Sequence, residues 1–275
     1  MADYRDTQLG RETSYTDRYD PSLLYPIPRT KARQDKNGRD ELPFRGVDLW
    51  TAYEISWLNA DGLPQIAIGE FMVPCTSEFI IESKSLKLYL NSFIQTQFAS
   101  QEQVQQQLSN DLSSAAGTQV EVILYQIAEY HGFKPISEPD GHCIDDYPVS
   151  IETYQPNPQL LRADPDTIVE QTLYSHLLKT NCPVTNQPDW ASVYISYQGP
   201  KIDACGLLAY LISYRQHQDF HEQCVESLFT HIQAACNPEK LSVYARYTRR
   251  GGLDINPFRS TWLDRPPLQY RHVRQ

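Results

Sequence analysis

The chain has 275 residues, a length that at roughly 150 residues per domain makes one large or two small domains. Hydrophobic residues make up 40 % and charged residues 21 %, which excludes a fully disordered chain and allows a core that needs no disulfide staples. The formal net charge of −10 argues against a general nucleic-acid binder, whose surface must be positive to displace counterions. The longest apolar run, Ala204 to Ile212, is far too short to cross a membrane. The opening residues mix both charge signs where a signal peptide needs an apolar stretch. A cytoplasmic protein is therefore expected.

The opening 42 residues carry balanced charges, several tyrosines and prolines, and no sustained periodicity, so they read as an irregular arm. Alternation then begins, with Tyr53, Ile55 and Trp57 expected on one face of a strand. Asn59-Ala60-Asp61-Gly62 is turn chemistry and 64–73 resumes an extended pattern, which predicts a hairpin. Ser100 with Gln103 forms a capping box, and Val104, Leu108 and Leu112 recur along one helix face until Gly117. Residues 118–127 alternate again. This first module spans 43–135, and a proline-rich connector follows over 136–165.

The pattern then returns over 166–275. Ile168 to Leu178 is apolar but ambiguous between strand and helix, and 190–197 alternates cleanly. Asp203 can cap a helical region that runs, with a break, to Asn237-Pro238. Leu241, Val243, Ala245 and Tyr247 form the last clear alternating strand, which leads into Thr248-Arg-Arg-Gly-Gly252. Two copies of a strand-strand-helix-helix-strand unit account for this order, and imply an α+β fold with antiparallel sheets and helices stacked on one face. Charge is uneven as well. Residues 239–275 hold eight basic and three acidic side chains, +5, which leaves −15 for the rest. Such a basic island suits a small anionic ligand.

Neither Gly-x-Gly-x-x-Gly nor a Walker loop occurs. The six cysteines include no Cys-x-x-Cys pair and read as reduced thiols. His217 and His221, four apart, would share a helix face with Cys224 one turn on, a geometry that can hold zinc, although an isolated histidine pair is usually structural. Glu222 is either an ordinary helix-surface glutamate or a buried carboxylate facing paired N–H donors. Cys182, in a proline-bounded loop, is either an inert thiol or a nucleophile partnered by Asp189 as acid or base. The run Glu82-Ser83-Lys84-Ser85-Leu86-Lys87-Leu88-Tyr89 reads on its own as a polar helix start, whereas Arg249-Arg250-Gly251-Gly252 favours a phosphate contact.

Together these segments resemble a known family. Glu82 to Tyr89 is similar to the signature of NADPH-dependent 7-cyano-7-deazaguanine reductases, the nitrile reductases of queuosine biosynthesis. Asn181-Cys182 with Gln187-Pro188-Asp189-Trp190, the run Phe220 to Glu226 and the block Leu241 to Pro257 resemble its long, two-module branch. The resemblance implies tandem tunnelling-fold modules, with Cys182 attacking the nitrile carbon to give a thioimide and Asp189 giving a proton to the nitrogen. Two hydrides from NADPH would then complete the amine. The residue implied to accept the base's N–H donors is Glu222, with Glu82 a second anchor and Ile81, Ser83 and His221 in the same pocket. Ser83, Lys84, Arg250 and Gly251 are implied to hold NADPH. A protonated Asp189 calls for an apolar setting beside Trp190 that raises its pKa. A homodimer acting on the free base is implied, with no metal, nucleic acid or membrane. The alternatives are a zinc-dependent pterin cyclohydrolase with Cys182, His217 and His221 as ligands, and a non-catalytic purine- or pterin-binding module.

Overall fold

The computed structural model describes residues 15–33, 42–137, 140–267 and 271–275. Much of the expected arm, residues 1–14 and 34–41, lies outside the described residues. The first half opens on the hairpin of β2 (Arg45–Leu58) and β3 (Pro64–Pro74), after two short segments, β1 (Pro26–Pro28) and α1 (Thr30–Arg33). Its turn is made by Asn59, whose side-chain oxygen accepts from the N–H groups of Asp61 and Leu63, and by Gly62 at φ +79°. β4 (Phe79–Ile81) leads into α2 (Ser83–Asn91) and α3 (Gln101–Ala116), and β5 (Glu121–Tyr125) returns beside β3. The second half repeats the order with β7 (Ala163–Asn181), β8 (Pro188–Ile202), α5 (Ala204–Ser213), α6 (His221–Cys236) and β9 (Lys240–Tyr247). The ambiguous 168–178 stretch is therefore strand. Even the caps repeat: Glu82 accepts from the N–H groups of Lys84 and Ser85 at the start of α2, and Asp203 from those of Cys205 and Gly206 at the start of α5.

One eight-stranded sheet joins the halves, in the order β5-β3-β2-β10-β9-β8-β7-β6, antiparallel throughout except for the two-residue β6 (His142–Cys143) beside β7. The strand at the seam, β10 (Leu253–Ser260), is not predicted by the sequence pattern as a separate element. All eight of its residues are buried, polar Asp254, Asn256 and Arg259 included, and Pro257 interrupts the short alternation of Leu253 to Asn256 and argues against a central strand. Its register explains the tolerance: pairing with β9 starts only at Phe258, past the proline.

Helices α2 and α3 cover one core with Trp50, Ile55 and Trp57, while α5 and α6 cover a larger one with Val193, Val243 and Tyr247. The stacking on one face holds for these four. The short α4 (Ile127–Phe133) instead sends Tyr130 against Tyr53 and Ile68 on the opposite face. Tyr53 also departs from expectation. A register shift between Ala52 and Ile55 inserts a bulge, and a one-residue slip turns a side chain to the other face. Ile55 and Trp57 thus face the helices while Tyr53 faces away.

A buried ionic network crosses the seam. Arg259 on β10 is fully enclosed, with Nη1 2.8 Å from Asp48 of β2 and Nη2 2.9 Å from Glu226 of α6. Arg29 pairs with Asp48 and donates to Ser77 at 2.9 Å. Arg33 of α1 grips Glu226 with bonds of 2.8 and 3.1 Å and donates to the carbonyl of Cys75. Burial alone raises the Glu226 carboxyl, but Arg259, Arg33 and Arg29 outweigh it and hold its pKa at about 2, against an ordinary 4.5. Two of the eight arginines and lysines of the basic island, Arg246 and Arg259, are buried, so part of that charge serves the core and not a ligand.

Arg259→Met leaves Asp48 and Glu226 without their shared cation and is expected to cost ~3–5 kcal/mol in urea unfolding. Because the folded Glu226 pKa is depressed, its contribution is complete above pH 4.5 and is lost as pH falls through about 2. Glu226→Gln should flatten that acid limb.

Candidate active site

Three chain segments are hydrogen-bonded into one corner at the end of the second-half sheet. β7 ends at Asn181, which sits opposite Pro188 of β8. On its other edge the Asn181 N–H donates to the His217 carbonyl at 2.8 Å, and the Asp219 N–H donates back to the Asn181 carbonyl. This parallel contact delivers the chain to Phe220, the N-cap of α6, so that His221 and Glu222 open the helix beside the β7 end. Cys182 is clamped across its loop, its N–H donating to the Gln187 carbonyl at 2.9 Å and its carbonyl accepting from Asn186 at 3.0 Å. At the far side the Thr248 N–H donates to the Trp190 carbonyl, and a turn closed by the Arg250 N–H and the Leu253 carbonyl brings Arg250 in. Gly251 and Gly252 supply the left-handed φ values of +61° and +78° which that turn requires.

The pocket enclosed there holds about 560 Å³ of empty space, solvent at its mouth included. Its walls come from both halves. Trp50, Ile80, Ile81, Ser83 and Lys87 line it from the first, and Cys182, Asp189, His221, Glu222, Thr248 and Arg250 are among those from the second. Cys182 is 4 % exposed and Asp189 7 %. Asp189 Oδ1 lies 3.0 Å from Nη1 of Arg250, and Oδ2 lies 3.3 Å from Nε2 of His221. The expected apolar setting for Asp189 is overturned. Burial raises its pKa, but the hydrogen bond and charge of His221, with Arg250 and Lys87, more than reverse this and leave it below the usual carboxylate value. Trp190, expected as the apolar neighbour, is 39 % exposed with Arg215 over its ring, because adjacent strand residues point to opposite faces.

Glu222 behaves in the opposite way. Wholly buried in the first turn of α6, it is raised to about 8 by burial first and then by the Asp48 carboxylate, with Arg29 and Arg259 opposing. Glu82 is also buried, but both of its carboxylate oxygens serve as the α2 cap at 2.7 and 2.8 Å, and it does not line the pocket although Ile81 and Ser83 do. Burial raises its pKa, the two backbone donors lowering it in part. Lys84 and Gly251 are not among the lining residues. Lys87 is, one helical turn after Ser83, with its chain packed 3.2 Å from where a Cβ on Gly251 would stand. That i, i+4 spacing was the available signal. Burial and the nearby Arg250 lower the Lys87 pKa. Two cations crowded into one pocket fit an anionic ligand group such as a coenzyme phosphate, which would relieve their repulsion.

The zinc alternative requires Cys182, His217 and His221 to converge. His217 ends a separate helical turn before α6 and pairs with Asp219 at 3.5 Å. Among the described residues no three histidine, cysteine or acidic side chains are grouped to hold a metal. Nor, among them, is any helix long and apolar enough to cross a membrane.

A sheet seam carrying a buried thiol, an ionised carboxylate, an imidazole and paired cations defines the kind of site to which known proteins can be compared. Residues 15–124 match the family described as nitrile reductase, 7-cyano-7-deazaguanine-reductase N-term, and residues 188–264 match the QueF-like protein family. A protein of Azoarcus sp. (strain BH72) named NADPH-dependent 7-cyano-7-deazaguanine reductase is 52 % identical over 268 residues, 97 % of this chain and 95 % of that one. A Chromobacterium violaceum protein of the same name is 52 % identical over 97 % of this chain and 96 % of its own. The chain belongs to the NADPH-dependent 7-cyano-7-deazaguanine reductase family. Among solved structures, an archaeosine synthase QueF-Like in the apo form aligns with 35 % of this chain and 95 % of its own at 20 % identity and a TM-score of 0.31.

If Arg250 holds the Asp189 proton affinity down, Arg250→Met should raise the Asp189 pKa. Carboxyl carbon NMR of aspartate-labelled protein measures this, and an unshifted titration would remove Arg250 from the account.

Proposed function

We propose that this chain reduces the nitrile of 7-cyano-7-deazaguanine to the primary amine with NADPH, acting on the free base as a cytoplasmic homodimer without binding tRNA. The observation that supports the reading is that Cys182, an ionised Asp189 and the protonatable Glu222 line one pocket. The names of the relatives supply the substrate and the coenzyme, and the net charge of −10 fits an enzyme that handles a free base.

Its lowered pKa keeps Asp189 ionised in the empty pocket, so its carboxylate is available for a first task as base. It takes the proton of the Cys182 thiol as sulfur attacks the nitrile carbon, and returns that proton to the nitrogen, which yields a neutral thioimide with all atoms accounted for. NADPH supplies hydride, and four electrons from nitrile to amine require two coenzyme molecules. The protons of the reduction come through the His221–Asp189 pair, and the Cys182 thiolate leaves between the two hydride steps. Glu222 accepts the paired N–H donors of the base, Phe220 and Ile81 flank the ring, and Ser83, Lys87 and Arg250 hold the coenzyme's anionic part, with Lys84, Glu82 and Gly251 supporting α2 and the turn. A base without those donors leaves a buried carboxylate unpaired and is rejected strongly.

Incubation with the nitrile base alone is expected to add its mass to the peptide that contains Cys182, and Cys182→Ala to abolish the adduct; an adduct on another cysteine sinks the assignment. Asp189→Asn should slow amine formation by roughly a hundredfold or more. Because Glu222 holds a proton up to about pH 8 in the empty pocket and must release it to accept two donors, base affinity should rise with pH and level off near 8. Calorimetry in buffers of different ionisation heat should show proton release at pH 7, and none in Glu222→Gln.

A further inference from the structure

His221 has an unusual attachment. Its Nε2 makes one long contact with Asp189, 3.3 Å, and its Nδ1 is buried without a hydrogen-bond partner. A histidine that moves protons is ordinarily oriented by a hydrogen bond to its second nitrogen. Here a ring does the equivalent work. The imidazole lies flat on Tyr247, with centroids 3.7 Å apart and planes 2° from parallel. Tyr247 is itself held firmly. It is fully buried at the end of β9, its N–H donates to Asn256 Oδ1 at 3.1 Å, and its carbonyl accepts from Gln275 Nε2 at 3.2 Å. Gln275 also donates to the same Asn256 oxygen at 2.9 Å, so the C-terminal residue and β10 together brace the residue that supports the pocket histidine.

From this geometry we infer that Tyr247 is a positioning residue, whose ring fixes the plane of His221 so that Nε2 stays aimed at Asp189 during the reduction steps. It touches neither base nor coenzyme, since Thr248 and not Tyr247 lines the pocket. The inference rests on the proposed proton-transfer role of the His221–Asp189 pair. Adduct formation draws on Cys182 and on an Asp189 whose charge Arg250 and Lys87 also support, so loss of the stack should slow the later hydride steps much more than that step. The stack acts through the ring face, so phenylalanine should serve as well as tyrosine.

The first test is on the unaltered protein. A ring directly above the imidazole shifts the C–H resonances of His221 upfield, and His221→Gln identifies the signals by their disappearance. These shifts are expected, and are expected to persist in Tyr247→Phe. Resonances at ordinary histidine positions overturn the inference without reference to catalysis. In single-turnover assays Tyr247→Leu should form the Cys182 adduct within about threefold of the normal rate, keep its affinity for the base, and reduce the adduct roughly ten- to a hundredfold more slowly. Tyr247→Phe should stay within about twofold of the original rate, because the aromatic face is kept. A normal reduction rate in Tyr247→Leu, or a Tyr247→Phe as slow as the leucine variant, also overturns it. Should the leucine variant not fold, the resonance positions and the phenylalanine rate decide the matter. If His221→Gln itself reduces the adduct at full rate, the proton-transfer reading fails instead, and the resonance positions still report on the stack.

Discussion

Charge sharing among Asp48, Glu226 and three arginines is the constraint on which the rest depends. Arg259 has no exposure and bonds two carboxylates from different halves, while Arg29 and Arg33 tie the segment before β2 to the same pair. A buried network of this kind adds little net stability over apolar packing, but removing any member is costly, so it enforces one arrangement of the elements it joins. The elements joined are β2, β10, α6 and α1. The first two make the seam and the third carries Glu222 one turn before Glu226.

The same charges reach the pocket. Burial first, and then Asp48 fixed by its arginines, raise the Glu222 proton affinity, whereas Glu226 beside those arginines keeps its charge. Two glutamates a turn apart on one helix thus shift in opposite directions because Glu226 is ion-paired directly with the arginines, whereas Glu222 lines the pocket and feels them only at a distance. At the other wall, His221, Arg250 and Lys87 do for Asp189 what the arginines do for Glu226. Each carboxyl is set by the partners that the fold supplies and not by burial alone, which all of them share.

Hairpins, caps and helix periodicity are legible in the sequence because each is a local pattern: Asn59 to Gly62 and Asp203 behave as their spacing requires, and Ser100 caps α3 through the Gln103 N–H, although the Gln103 side chain reaches back to the Ala99 N–H and not to Ser100 as a full capping box would. The seam is not. β10 is buried on both faces, and its short alternation over Leu253 to Asn256 is broken by Pro257, so it does not read as a central strand. The bulge at Ala52 to Ile55 leaves no mark on an apolar–polar pattern, and the buried arginines read as a basic surface. Within the site, Cys182, Asp189, His221 and Glu222 are legible and do meet, since their motifs flank strand and helix ends. The environment of Asp189 is not legible, because Trp190, its neighbour in sequence, points to the other face of the strand. Lys87 is the pocket lysine in place of Lys84 because it shares a helix face with Ser83, and Tyr247 reads as ordinary strand alternation.

The bulge in β2 lets a single strand feed two separate cores, Trp50 and Ala52 before it and Ile55 and Trp57 after it facing one way, with Tyr53 facing the other. Chain length at that point is thus specified more tightly than residue identity. Exchanging one aromatic for another there alters a contact, but deleting a single residue would reverse the facing of everything on one side of the kink, turning tryptophans toward water and polar groups toward the helices. Descent within this family should therefore tolerate spelling changes in β2 and forbid changes in its count.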